Sequence, residues 1–312
     1  MGSSVDHLGP AGDPGARELL HRLDLDVRIK LDGLLHGDYQ GLVPGHGSEP
    51  GETRRYTPGD DVRRIDWNVT ARMQRPYVRE SIADRELETN VLIDLSPRLD
   101  FGTAMYEKRD LALAATAAVG LLTARLGNRV GAVLASPEGI ETVPAKSGRA
   151  PLLALLHRVQ NHPRLEGGVP DLEAGLARLA SMTRHRGLTV MVSDFLAPIE
   201  TWEPGLRRLT TRHEALAIEI IDPRELELPD VGVLSVVDPA SGELREVSTR
   251  SAKLRNRYAE AAAQQRDDIA TAMRRAGADH LVLNTGRDWL LDMAQFVALR
   301  RRRSEAAMGR PR

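Results

Sequence analysis

Two runs in this chain are almost wholly apolar and stop at a carboxylate: Val91-Leu92-Ile93-Asp94 and Leu188-Thr189-Val190-Met191-Val192-Ser193-Asp194. A run without polar alternation belongs to a strand covered on both faces. Such strands sit in parallel sheets flanked by helices. In open sheets of this kind, ligands gather beyond the carboxyl ends of the strands, where the strand order reverses. If the strands at 89–96 and 188–195 are neighbours across that reversal, Asp94 and Asp194 face one crevice.

The segments around these two runs alternate as a doubly wound fold requires. Residues 107–126 read as a helix that is apolar nearly all round, as one packed on a sheet in a large core should be. Strands follow at 130–135, at 140–143 on an edge, and at 215–221, which again closes on an aspartate, Asp222. Helices are predicted at 152–159 and 171–179. Pro239-Ala240-Ser241-Gly242 turns a hairpin between 231–237 and 243–247. A long helix at 252–276 stops at Gly277, a last strand spans 280–284, and Asp288 caps the final helix. The expected fold is therefore α/β, with a doubly wound, mostly parallel sheet and an inserted hairpin over 87–299. Residues 15–86 form an N-terminal collar of helix and strand. Residues 1–14 are a flexible tail and 300–312 a basic one.

Composition narrows the function. The formal net charge is −1, so no global field draws the chain to nucleic acid or to an anionic membrane. Cysteine is absent, which removes disulfides, thiolate metal sites and cysteine nucleophiles. The low-polarity run 111–124 is short of the roughly 20 residues that a spanning helix requires. No leader-like segment opens the sequence, and a cytoplasmic location is expected. No Gly-x-Ser-x-Gly elbow, His-Glu-x-x-His pair or P-loop is present, which argues against an enzyme. Nearly all basic residues are arginine; the exceptions are Lys30, Lys108, Lys146 and Lys253, a pattern read as compositional bias.

In the collar, Leu20, Leu23, Val27, Leu31 and Leu34 mark one stripe of an amphipathic helix over 16–35. Residues 37–51 are a glycine-rich loop; Gly45-His46-Gly47 lacks the ending of a phosphate cradle. The densest stretch follows, Arg54-Arg55-Tyr56-Thr57-Pro58-Gly59-Asp60-Asp61-Val62-Arg63-Arg64-Ile65-Asp66-Trp67. Pro58-Gly59 makes a turn, and Asp60 or Asp61 can cap a short helix with Val62, Ile65 and Trp67 on its apolar side. Its carboxylates could hold a metal or do acid–base work, its arginines could grip an anion, or the opposite charges could pair into a network fixing the collar. A strand at 76–81 leads on to the first buried strand.

The order of elements, with Asp-x-Ser after the first strand and Ser-Asp after the fourth, resembles a von Willebrand factor A domain. That family's metal-ion-dependent adhesion site is Asp-x-Ser-x-Ser with a distant Thr and a distant Asp. The stretch Arg55-Tyr56-Thr57-Pro58-Gly59-Asp60-Asp61-Val62-Arg63-Arg64-Ile65-Asp66-Trp67 with Thr70-Ala71-Arg72 resembles the signature of a bacterial family, domain of unknown function fifty-eight. The resemblance implies a protein-interaction module that accompanies a MoxR-type AAA+ ATPase. It makes Asp94, Ser96 and Asp194 a degenerate site for Mg²⁺ or Mn²⁺, with no cofactor otherwise expected. Arg98 stands where the second serine belongs, and Gly168-Val169-Pro170-Asp171 lies where the threonine belongs, so that Pro170 or Asp171 replaces it. Three readings stay open: a bound divalent ion, an Arg98 guanidinium paired with Asp94 or Asp194 in its place, or a structural cluster with Arg98 in solvent. A further alternative is a metal-dependent hydrolase built on Asp60, Asp61 and Asp66, or on Asp94 with Asp194.

Overall fold

The computed structural model describes residues 53–57, 65–79, 88–124, 128–184 and 186–308. The expected helix at 16–35, the loop at 37–51, the 1–14 tail, and Asp60, Asp61 and Arg64 lie outside the described residues. The chain divides into two compact units, one being Pro44–Glu86. In that unit β1 (Thr53–Arg55) pairs antiparallel with β2 (Tyr77–Arg79), and α1 (Trp67–Met73) lies between them in sequence. The Asp66 carboxylate caps α1 by accepting from the amides of Asn68 and Val69 at 3.0 and 3.2 Å. A carboxylate there satisfies amides that the first helical turn leaves without partners. Trp67, expected on an apolar side, is instead 71 % exposed. It is the first residue of α1, one place after the cap, and no residue of that helix is buried. Arg55 and Arg72 are exposed and Tyr56 half-buried.

The other unit carries the six-stranded sheet. In chain order its elements are β3 (Glu88–Asp94), α2 (Lys108–Ala124), β4 (Arg129–Ser136), β5 (Gly139–Ser147), α3 (Arg149–Gln160), α4 (Leu172–Met182), β6 (Leu188–Ser193), α5 (Glu203–Thr210), β7 (Glu214–Ile221), α6 (Pro223–Leu226), β8 (Val233–Val237), β9 (Leu244–Ser248), α7 (Ala252–Ala276), β10 (Asp279–Asn284) and α8 (Trp289–Met308). The strand order is β10-β7-β6-β3-β4-β5, with β5 alone antiparallel to its neighbour. The α/β, doubly wound, mostly parallel sheet read from the sequence is the one observed. From β3 the chain moves outward to β4, and from β6 it moves outward the other way to β7. The order therefore reverses between β3 and β6.

Side chains alternate across the sheet as the pleat demands. Val91, Ile93, Val190, Val192, Leu216, Ile218 and Ile220 enter one core with α2, α3 and α8. Leu92, Met191, Ala215 and Ala217 enter the other with α4, α5 and α7. Val91, Leu92 and Ile93 are fully buried. Each such side chain contributes roughly 1.5–3 kcal/mol. Of α2, only Asp110 and Ala124 are not buried. Its threonines, Thr116 and Thr123, donate to the carbonyls of Ala112 and Val119 one turn back, both at 2.8 Å, so no hydroxyl is stranded in the core.

Some boundaries differ from expectation. The strand expected over 188–195 ends at Ser193, because Phe195 takes a left-handed φ of 54° that breaks the ladder. The edge strand expected at 140–143 runs to Ser147. The register shifts between Val130 and Ala132 opposite Pro144, and an edge strand with such an irregularity tolerates proline. The hairpin β8–β9 forms its own two-stranded sheet, as expected.

Candidate functional site

The reversal point brings the tips of β3 and β6 together. Ser193 Oγ donates to Asp94 Oδ2 at 2.7 Å and ties the two strand ends across the crevice. The other Asp94 oxygen accepts from the Ser96 amide at 2.8 Å. Asp194 Oδ1 accepts from the Leu196 amide at 3.0 Å, in the turn that Phe195 makes with its left-handed backbone. A bulky residue holds that conformation only where its surroundings enforce it. Here the Phe195 ring is buried edge-on against Trp202, their centroids 5.2 Å apart. Burial, and after it the charge of Asp194, pushes the Asp94 carboxyl above the usual carboxylate range, against the pull of its hydrogen bonds to Ser193 and Ser96.

The cation of the site is Lys108, the first residue of α2. Its ammonium lies 3.0 Å from Asp194 Oδ2 and 2.5 Å from Glu225 Oε1, and its side chain is wholly buried. Burial alone would lower its pKa. The Asp194 and Glu225 carboxylates outweigh that and hold it above the ordinary 10.5, so the group is charged. Behind it runs a second set of pairs: Arg266 bonds Glu219, donates to the Asp194 carbonyl at 3.3 Å, and Glu219 also meets His280 Nε2 at 2.7 Å. Glu225 is held by a capping box, in which Asp222 caps α6 through the Arg224 amide while Glu225 Oε2 accepts from the Asp222 amide at 2.9 Å.

The residues at the two lost ligand positions are engaged elsewhere. Arg98 is half-buried in a 3-10 turn, Pro97–Leu99, and its charge acts on Asp238 in the hairpin turn. Among the described residues it pairs with neither Asp94 nor Asp194, so of the three open readings the arginine surrogate is not the arrangement seen; the cation beside Asp194 is Lys108. The reason is reach: the 3-10 turn carries Arg98 toward the hairpin, while α2 starts above the crevice. At the lost threonine position, the Asp171 carboxylate caps α4 through the Ala174 amide at 2.8 Å. Gly168, at φ 109°, lies so near Pro137 that a Cβ would stand 2.6 Å from the proline's own. A threonine at 168 would therefore clash.

The oxygens of this donor set are engaged within the chain. Both Asp94 oxygens accept protein hydrogen bonds, Asp194 is bonded to an amide and an ammonium, and the position between Asp194 and Glu225 holds the Lys108 charge. Among the described residues no group of three or more His, Cys, Asp or Glu is placed to hold a metal.

Around this core runs a rim of fixed backbone with exposed apolar side chains. Phe101, Met105 and Tyr106 are 40, 61 and 39 % exposed. Their loop is pinned by Thr103, whose amide and hydroxyl donate to Asp222 at 2.8 and 2.5 Å, by the Met105 amide on the Thr285 carbonyl at 3.1 Å, and by the Lys108 amide on the Phe101 carbonyl at 2.8 Å.

The family model described as "Protein of unknown function DUF58" matches residues 52–268. The chain belongs to the DUF58 family. Uncharacterized proteins of Mycobacterium tuberculosis and Mycobacterium bovis are each 51 % identical to it over 295 residues, covering 94 % of this chain and 92 % of theirs. Solved structures similar to this DUF58 chain include BatB from Bacteroides thetaiotaomicron, at 8 % identity and TM-score 0.40 over 69 % of this chain and 99 % of that one. The SpRpn10 VWA domain is similar at 12 % identity and TM-score 0.39 over 68 % of this chain and 94 % of the domain.

In this DUF58 chain the sequence singled out Asp94, Ser96 and Asp194, which the fold brings to one place. It missed Lys108, Glu225, Glu219, Arg266 and His280. Two signals were available. Lys108 is one of four lysines in an arginine-rich chain and opens an apolar helix. Asp222-Pro223-Arg224-Glu225 is a capping-box pattern with proline at the first helical position.

Proposed function

We propose that this DUF58 chain is a non-enzymatic protein-interaction module that works in the cytoplasm as an adaptor for a MoxR-type AAA+ ATPase. The observation that supports the reading best is the pinned rim loop. Phe101, Met105 and Tyr106 stay exposed while Thr103, Met105 and Lys108 fix their backbone to Asp222, Thr285 and Phe101. Aromatic and methionine side chains on rigid backbone lose little freedom on docking, which is what binding hot spots require. The ATPase itself rests on the family resemblance of the Arg55–Trp67 signature. Among the described residues no helix is long and apolar enough to cross a membrane.

The hydrolase reading has weaker support. Asp66 is engaged as a helix cap, and Asp94 and Asp194 are bonded to amides, a serine and a lysine. The test uses the purified chain and the MoxR-type ATPase of the same genome. Binding with or without nucleotide is expected, and the F101A/M105A/Y106A chain should bind at least about tenfold more weakly with an unchanged melting temperature. No binding in any nucleotide state removes the ATPase. Phosphate-ester hydrolysis in Mn²⁺ that is lost in D94N replaces the adaptor with an enzyme.

A further inference from the structure

We infer that the Lys108 ammonium is a tethered counter-ion standing in for a dissociable divalent cation, so that the strand-tip site keeps one arrangement with and without such ions. The inference goes beyond the adaptor reading and holds whichever protein binds the rim.

Four observations carry it. Carboxylates from separate elements, Asp194 just beyond β6 and Glu225 on α6, converge on one point, 3.0 and 2.5 Å from Nζ. That is how a compact cation is held, and Mg²⁺ is commonly bound by one or two carboxylates plus water. The point between the carboxylates is also filled: the Lys108 and Asp194 side chains are 0 and 1 % exposed and Glu225 16 %, so an ion held by both carboxylates must take the place of the lysine. A third point is position. A positive charge in the first turn of a helix opposes the helix dipole, so local helix energetics do not select a lysine there. The two carboxylates offset that cost. Last, Ser96 Oγ is buried beside Asp94 without a hydrogen-bond partner of ordinary geometry. Its hydroxyl pulls on the Asp94 carboxyl more weakly than the other bonds do, so an under-bonded oxygen faces the strand-tip site. Buried polar groups without partners are rare enough to need a reason.

The test uses the full chain, the Lys108→Ala variant, and Lys108→Ala with Asp194→Asn, each refolded and melted in EDTA or in millimolar Mn²⁺, with Mn²⁺ binding read by electron paramagnetic resonance. The native chain should show no saturable Mn²⁺ binding and the same melting temperature in both buffers. Lys108→Ala should refold poorly or melt lower in EDTA and recover in Mn²⁺, and it should bind Mn²⁺ saturably where the native chain does not. The double variant should lose both the binding and the recovery. Saturable Mn²⁺ binding by the native chain that Asp194→Asn abolishes would overturn the inference. So would a Lys108→Ala chain whose refolding and melting are indifferent to Mn²⁺.

Discussion

The two ends of the parallel sheet use the same ionic chemistry to opposite effect. At the carboxyl end the pairs are built on buried groups: Lys108 and Asp194 with the partly buried Glu225, and Glu219 with the partly buried Arg266 and His280. At the amino end Arg300 reaches Glu214 and Asp279, whose side chains are 35 and 34 % exposed, and Arg129 meets Glu88 while itself 44 % exposed. Beside Arg300 lies an open cleft of about 630 Å³ lined by Arg186, Arg212 and Arg303. Water reaches the carboxylates Glu214 and Asp279 at the amino end far more than it reaches Lys108, Asp194 and Glu219 at the carboxyl end. A pair that is nearly neutral for stability at one end is therefore obligatory at the other.

Lys108→Met should break the comparison most sharply. It leaves the buried Asp194 carboxylate without its ammonium and the partly buried Glu225 with Arg266 alone at 3.9 Å, a loss of about 3–5 kcal/mol in urea denaturation. The alkaline limb gives the sign. Because the folded pKa of Lys108 lies above 10.5, its contribution is complete below pH 10.5 and is lost as pH rises through the higher folded value. The native chain should lose its advantage over the methionine variant as pH rises through that alkaline range. Glu219→Gln comes next, at about 2–3 kcal/mol, since it leaves Arg266 without its closest carboxylate while the strand position stays buried.

Local pattern made one part of this site legible and hid the other. Two apolar runs ending in aspartate announce strands whose tips are polar, and the strand–helix alternation then places those tips side by side. Asp94 and Asp194 were visible for that reason. Their partner was not, because nothing local connects Lys108 to Asp194, 86 residues away, or to Glu225, 117 residues away. An ammonium at the start of an apolar helix looks like a solubilising end until the sheet closes over it. Arg98 misled through proximity: it sits two residues past a ligand position, yet a 3-10 turn points it at the hairpin. Helix α5 went unread because its apolar positions, Leu206 and Leu209, are too few to show a period.

Asp222 tests the same end of the sheet from the acidic side. Burial would raise its carboxyl, but the hydrogen bonds from Thr103 and Thr285, with those from the Thr103 and Arg224 amides, outweigh it and hold the pKa below the ordinary 3.8. A lowered folded pKa means that the contribution is present above pH 3.8 and is lost as pH falls below it toward the folded value. Asp222→Asn should therefore cost about 1.5 kcal/mol near neutrality. The gap between variant and native should close as the medium is acidified past the carboxylate range. A gap that persists there would mean that the asparagine disturbs the α6 turn and not the charge.

The smallest effect belongs to the amino end, and its smallness is the point. Arg129 Nη1 lies 3.2 Å from Glu88 Oε1, and the same guanidinium donates to the Ala145 carbonyl at 2.9 Å, so one exposed side chain spans β3, β4 and β5. Both bonds face solvent. Arg129→Ala should cost no more than about 1 kcal/mol, and raising the salt should shrink the difference further, since exposed pairs are screened within about 10 Å at 0.1 M. The same salt series on Lys108→Met should leave its larger deficit in place, because no ions enter a site where both side chains are buried. If both deficits fell together with salt, the carboxyl-end network would be open to solvent, and the contrast between the two ends of the sheet would be one of degree.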